Sequence, residues 1–140
     1  LDIGTNRLTI GASGITESVL RQAIIRGRDG GSSGVLSSNA GIGREVGYRV
    51  NDGKMEVALA APGDTNLDGV VNVYDLININ TGGQYGKGSD AGWSAGDFNY
   101  DGRANVFDLV SVSGADVYGK PAYRTEFRSL FDGNTLAGWT

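Results

Sequence analysis

The sequence predicts an α+β fold in three parts, and three patterns lead to this prediction. Apolar residues alternate on both sides of a turn at 51–53, which is typical of a β-hairpin. Helical spacing of apolar residues marks 16–27, and an acidic, glycine-containing stretch occurs twice, 33 residues apart. We therefore predict a small β-rich unit with one helix at 1–62, a pair of loop-and-helix repeats at 63–119, and a strand segment at 120–140.

The first 27 residues predict two short strands followed by a helix. Residues 1–10 read as a strand, a turn at Gly4–Asn6 and a second strand. In the helix, Thr16 is a capping residue type, Glu17 favours the first turn, and Gly27 can end the helix. Its predicted buried face consists of Val19, Leu20, Ala23, Ile24 and Gly27. A loop rich in glycine and serine follows.

Residues 45–60, EVGYRVNDGKMEVALA, have the pattern of a hairpin. Val46, Tyr48 and Val50 alternate before the turn Asn51-Asp52-Gly53, and apolar residues alternate again after it. Pro62 then marks a boundary before the repeats. At the other end of the chain, 127–131 reads as a strand, followed by a DGN turn and a second strand.

The repeated stretch reads GDTNLDGVVNVYDL at 63–76 and GDFNYDGRANVFDL at 96–109. The register continues as far as the two matching YGK tripeptides that begin at Tyr85 and Tyr118. Because identity persists well beyond the acidic core, the pattern indicates duplication of a whole loop-and-helix unit. The segments after each loop are rich in β-branched residues, Asn, Ser and Gly, so we expect short helices that depend on metal.

Both repeats match the twelve-residue calcium loop of EF-hands when Asp64 and Asp97 are taken as position 1. Side chains at positions 1, 3 and 5 of such a loop point inward, glycine at 6 permits the sharp turn, and the backbone carbonyl at 7 faces the ion. The acid at position 12 closes the shell, and here it is Asp instead of the usual Glu. The predicted metal residues are Asp64, Asn66, Asp68, Val70, Asn72 and Asp75 in the first loop, and Asp97, Asn99, Asp101, Arg103, Asn105 and Asp108 in the second. We also expect a short strand bridge between the two position-8 residues, Val71 and Ala104.

Charge and composition agree with two bound Ca²⁺ ions. Residues 63–119 carry 8 Asp against 2 Lys/Arg, a net charge of −6, whereas the whole chain has −4. Two calcium ions would bring the formal charge of the chain to about zero. The chain has neither His nor Cys, which removes the commonest general base, thiolate metal sites and disulfides. It also lacks a basic stripe for nucleic acid and an apolar run long enough to span a membrane.

A half EF-hand that occurs twice resembles the type I dockerin module of secreted bacterial proteins, and the resemblance covers residues 63–119. It implies two calcium loops with antiparallel helices, a location outside the cell or at its surface, and no catalysis. Dockerins attach enzymes to scaffolds by binding cohesin domains, and they carry small hydroxylated residues at positions 10 and 11. This chain has Val73-Tyr74 and Val106-Phe107 there, and we expect these residues to pack inside the chain.

Two further resemblances concern the flanking segments. Residues 1–62 are similar to the region before dockerin-type repeats in large bacterial surface proteins. The ending FRSLFDGNTLAGWT, at 127–140, resembles the opening strands of 3-keto-disaccharide hydrolase domains, which are jelly rolls that act on sugars. This second resemblance implies that the chain is part of a larger protein.

These patterns lead to two functional hypotheses, both for a chain that is not itself an enzyme. The first is a calcium-stabilised structural module, located outside the cell, that assembles by self-association. In this case the strand-like segments at 1–10 and 125–139 would add to a neighbour's sheet and form a surface filament. The other arrangement of these segments is pairing with each other inside the chain, with 120–140 packing on the N-terminal unit. The alternative is a docking module that attaches a larger secreted, carbohydrate-active enzyme to a partner domain.

Overall fold

In a computed structural model, the chain has the predicted α+β class. The structure describes residues 1–11, 16–28, 34–41, 43–87 and 91–123. Within these residues it contains a three-stranded antiparallel sheet, three α-helices and a short 3₁₀ helix, Trp93–Ala95. The predicted C-terminal strands, at 127–139, lie outside the described residues.

The sheet is formed by β1 (Arg7–Gly11), β2 (Glu45–Asn51) and β3 (Lys54–Ala60), in the order β1-β3-β2. The predicted hairpin is confirmed, because β2 and β3 pair in register from Glu45↔Ala60 to Asn51↔Lys54. Its two-residue turn has φ values of 52° at Asp52 and 73° at Gly53, the backbone conformation that matches the twist of adjacent strands. The second predicted N-terminal strand is β1, which pairs with β3.

Helix α1 (Glu17–Arg28) confirms the predicted helix. The Thr16 hydroxyl accepts a hydrogen bond from the Val19 amide, as expected of a cap. Leu20, Ile24 and Gly27 are buried, but Val19 is exposed, so the predicted apolar face was too wide. Gly27 does not end the helix. Instead it allows close packing, because a Cβ there would lie 2.0 Å from the Val35 carbonyl oxygen.

Helices α2 (Val73–Gly82) and α3 (Val106–Ala115) follow the two loops. The loops do not bridge each other, contrary to the expectation for Val71 and Ala104. Val71 forms a parallel bridge with Tyr118, and Ala104 forms one with Tyr85. Each loop therefore pairs with the segment that follows the other repeat's helix, and the two repeats interlock.

The first turns of α2 and α3 contradict the expectation that their large apolar residues pack inside the chain. Val73, Tyr74, Val106 and Phe107 are 53–66% exposed. The reason is that the rotation of each helix about its axis determines which side chains are buried, as α2 illustrates. There Asp75 and Ile79 face inward, which leaves the opposite side of the helix in solvent.

One cluster of buried side chains includes residues from the sheet, from α1 and from the repeats. Trp93 is fully buried and packs edge-to-face on Phe98, with ring centroids 5.0 Å apart. Its indole N–H donates to the Asp64 carbonyl oxygen at 2.9 Å. Gly47 of β2 lies against the indole ring, so this side chain joins the sheet to the first loop. Among the described residues, none of the helices is long and apolar enough to cross a membrane.

Candidate metal centres

The two acidic loops have the same backbone path. Residues at positions 4 and 6 adopt positive φ in both loops: 58° at Leu67 and 87° at Gly69 in the first, 61° at Tyr100 and 87° at Gly102 in the second. Glycine at position 6 adopts this conformation without steric cost. The path curls each loop tightly enough for its acidic side chains to converge.

Each loop brings three carboxylates together into a group that could hold a metal ion. In loop 1 these belong to Asp64, Asp68 and Asp75, with oxygens within 4.8 Å of one another. In loop 2 the carboxylates at the same positions lie within the same distance of one another, and they belong to Asp97, Asp101 and Asp108. In both loops the acids at positions 1 and 12 are buried and the acid at position 5 is exposed.

Backbone amides within the loop orient the first acid. The two carboxylate oxygens of Asp64 accept hydrogen bonds from the amides of Asp68, at 3.1 Å, and Gly69, at 2.9 Å. Asp97 accepts the equivalent bonds in loop 2, at 3.2 Å and 2.9 Å. A buried carboxylate is thus held in place by donors that follow it in the chain.

The acid at position 12 lies in the first turn of the helix that follows each loop. Asp75 Oδ1 accepts hydrogen bonds from the Thr65 amide and hydroxyl, both at 2.9 Å. Its Oδ2 accepts from the Asn72 amide at 2.9 Å, which completes a capping box at the start of α2. Asp108 is held by backbone amides alone, from Phe98, Asn99 and Asn105.

The remaining predicted residues have clear positions in the loops. The side chains of Asn66 and Asn99, at position 3, accept hydrogen bonds from the amides at position 5, both at 3.2 Å. The amides of Val70 and Arg103, at position 7, donate to the acids at position 5. Asn72 and Asn105, predicted as metal residues at position 9, are the N-caps of α2 and α3.

Burial shifts the acid–base behaviour of the inner acids. It raises the pKa of Asp64 to about 6, although bonds from Tyr123 and Gly69 act in the opposite direction. Burial also raises the pKa values of Asp75, Asp97 and Asp108 above the ordinary value for Asp. Desolvated, clustered carboxylates are costly to ionise alone, and a bound cation relieves that cost.

Sequence reasoning missed two residues outside 63–119, each of which contacts the first acid of one loop. The Tyr123 hydroxyl donates to Asp64 Oδ2 and accepts from the Ala61 amide. In loop 2 the guanidinium of Arg21, on α1, forms an ion pair with Asp97 Oδ2. No local pattern could reveal these contacts, because they are 59 and 76 residues apart in sequence.

The donor set fits a hard cation. Each site offers three carboxylates and an asparagine side-chain oxygen, and such ions prefer oxygen ligands. The chain has no Cys or His to provide the sulfur or nitrogen that softer metals take. Comparisons with protein-family models, with curated proteins and with solved structures gave no match.

Proposed function

We propose that this chain is a non-catalytic, calcium-stabilised module that acts outside the cell and joins protein chains through α2 and α3. The observation that carries the proposal is the exposure of large apolar side chains on both helices. They are Val73, Tyr74, Leu76 and Ile77 on α2, and Val106, Phe107, Leu109 and Val110 on α3, each between 39% and 66% exposed. We refer to these two sets as the apolar helix faces.

Calcium is the ion that best suits the two loops. Calcium accepts six to eight oxygens in a flexible shell, whereas magnesium keeps several waters and takes few protein ligands. The loops supply positions 1, 3, 5, 7 and 12 of a calcium loop, with three carboxylates converging in each. Extracellular modules bind calcium in the 10⁻⁴–10⁻³ M range, so sites of this kind would stay loaded outside the cell.

The apolar helix faces support an assembly role. They have matching residues 33 positions apart, so duplication has produced two surfaces of the same chemistry. Contiguous exposed apolar side chains commonly mark protein–protein contact sites, and aromatic residues such as Tyr74 and Phe107 often dominate their energetics. Four large apolar residues in the first two turns would not stabilise a helix whose outer side stayed in solvent and contacted no other protein.

Assembly through terminal strands has less support. Within the described residues β1 is an edge strand, so its outer side offers a place for a further strand. However, the C-terminal strand predicted to take part in such assembly lies outside the described residues. Attachment of a carbohydrate-active enzyme is compatible with the helix-face proposal, because it would use the same surface.

Sedimentation of the purified chain in calcium and in EGTA, over a concentration series, tests the proposal. We expect calcium-dependent association that the double substitution Tyr74→Ser/Phe107→Ser weakens by about 30-fold for each of the two rings that is buried in the contact, because each lost hot-spot aromatic costs about 2 kcal/mol. The control is Tyr85→Ser/Tyr118→Ser, which removes two exposed aromatics outside the apolar helix faces.

If the chain stays monomeric in calcium, the same variants decide whether a different protein is the partner. Binding partners captured by the calcium-loaded chain should then be lost with the Tyr74/Phe107 pair and retained with the control pair. Association or capture that both pairs affect equally would argue against the apolar helix faces as the contact surface.

A further inference from the structure

The two metal loops differ at one buried atom. In loop 1, Oδ2 of the position-1 acid accepts a hydrogen bond from the neutral hydroxyl of Tyr123. In loop 2, the same oxygen accepts a hydrogen bond from the cationic guanidinium of Arg21. In other respects the first acids of the two loops have matching backbone donors. The loops therefore match in sequence spacing but not in electrostatic surroundings.

Arg21 is held firmly against loop 2. Its side chain is 16% exposed, whereas that of Asp97 is fully buried. The guanidinium carbon also lies 5.6 Å from the ring centroid of Tyr100, which occupies position 4 of the same loop. Loop 2 carries a second cation at position 7, Arg103, where loop 1 has Val70.

From this contact we infer that Arg21 makes the two sites unequal, so that loop 2 binds calcium more weakly than loop 1. The inference rests on the proposed calcium function. Arg21 serves as a built-in counter-ion, which keeps the metal-free loop 2 assembled and anchors α1 to it.

Charge accounts for both effects. Three clustered carboxylates repel one another, and a fixed guanidinium beside Asp97 relieves part of that repulsion before any metal arrives. The same positive charge then repels an incoming divalent ion and competes for the carboxylate. In loop 1 the equivalent oxygen of Asp64 accepts a hydrogen bond from the Tyr123 hydroxyl, which offers a dipole instead of a full charge. Two arginines beside this loop contact the Leu67 carbonyl (Arg7) and the Tyr123 ring (Arg44). The binding free energy of calcium is therefore more favourable at loop 1 than at loop 2.

Calcium titration calorimetry on the chelator-treated full chain tests the inference. We expect two binding steps in the wild type, with affinities at least tenfold apart. Arg21→Gln should strengthen the weaker step about tenfold, the order expected of a charge–ion repulsion partly screened by solvent. It should also lower the unfolding temperature of the metal-free protein. Arg21→Lys keeps the charge and should keep the weak step.

The matched control is Arg26→Gln, which removes a cation from an exposed position on the same helix and should change neither step. A measurement on the wild type alone is independent of variant folding. The amides of Gly69 and Gly102 report the two loops separately in NMR spectra, and the Gly69 signal should respond at lower calcium concentration.

The outcomes separate this inference from the proposed function. If both loops bind calcium equally, or if Gly102 responds first, or if Arg21→Gln leaves the weaker step unchanged, the inference is overturned and the calcium function stands. If neither loop binds calcium, both fail.

Discussion

Gly47 lies in β2 directly under the ring of Trp93, and replacing it with alanine tests how tightly the sheet is joined to the metal loops. A Cβ at this position would lie 2.5 Å from Cε2, 2.7 Å from Cζ2 and 2.9 Å from Nε1 of Trp93. Non-bonded carbon atoms prefer about 3.5–4.0 Å. The indole ring would therefore have to move by about 1 Å in Gly47→Ala.

The ring has little room for this movement. Trp93 is fully buried, with the rings of Phe98 and Tyr100 at 5.0 Å and 5.9 Å between centroids. Overpacking of this kind costs about 1–3 kcal/mol. Movement would also stretch the hydrogen bond to the Asp64 carbonyl, and an unsatisfied buried group costs a further 1–3 kcal/mol or so. We expect Gly47→Ala to lower the free energy of unfolding by about 3 kcal/mol.

Denaturant unfolding followed by circular dichroism and tryptophan fluorescence, at saturating calcium, measures this loss. Gly11→Ala is the matched control, because Gly11 is in β1 of the same sheet and no described atom lies within 4 Å of a Cβ built there. That substitution should stay within about 0.5 kcal/mol of the wild type. Since Trp93 holds the backbone of Asp64, Gly47→Ala should also weaken calcium binding at loop 1.

Two results would refute the reasoning. One is a Gly47→Ala protein as stable as the Gly11→Ala control. The other comes from a double-mutant cycle with Trp93→Phe, which removes the three atoms that a Cβ at Gly47 would meet. Gly47→Ala should cost much less in that background. An unchanged cost would mean that the ring is not the source of the effect.

Three further predictions concern the metal loops. Adding calcium to about 100 times the dissociation constant should stabilise the chain by about 2.7 kcal/mol per site in thermal unfolding, and an equal concentration of magnesium should give less. The folded pKa of Asp64, about 6, exceeds its unfolded value of about 3.9, so its contribution to metal-free stability is full below pH 4 and is lost as pH rises through 6. The free energy of unfolding of the metal-free chain should therefore fall by about 3 kcal/mol from this group between pH 4 and pH 7, and a metal-free stability that does not fall over this range would contradict the reasoning. If Asn72 acts as a cap, Asn72→Ala should lower the free energy of unfolding by about 1 kcal/mol, and Asn72→Ser should restore it. A loss of stability in both variants would indicate that Asn72 is a metal ligand.

The sequence was sufficient to predict the parts of the fold that depend on local pattern. The hairpin follows from alternation around Asp52-Gly53, and the acidic loops follow from oxygen side chains and glycine at fixed spacing. Each of these signals comes from within about fifteen residues, so tertiary context had little opportunity to override it. Thr16 likewise caps α1 because its hydroxyl reaches an amide three residues away.

Long-range contacts could not be predicted in this way. Arg21 and Tyr123 have no local feature that distinguishes them from other surface residues, and only the fold brings them to the loops. The expectation for Tyr74 and Phe107 was wrong for a related reason. Large apolar residues usually pack inside, but the rotation of each helix is fixed by the buried acid at position 12, and that rotation turns these rings outward.

The same rotation connects the metal sites with the apolar helix faces. Asp75 and Asp108 belong both to the acidic triads and to the first turns of α2 and α3. An ion that gathers each triad would therefore fix the start of the helix whose other side carries Tyr74 or Phe107. Without an ion, repulsion among the carboxylates acts directly on that first turn. Assembly should consequently depend on calcium even though none of the contact side chains is a metal ligand.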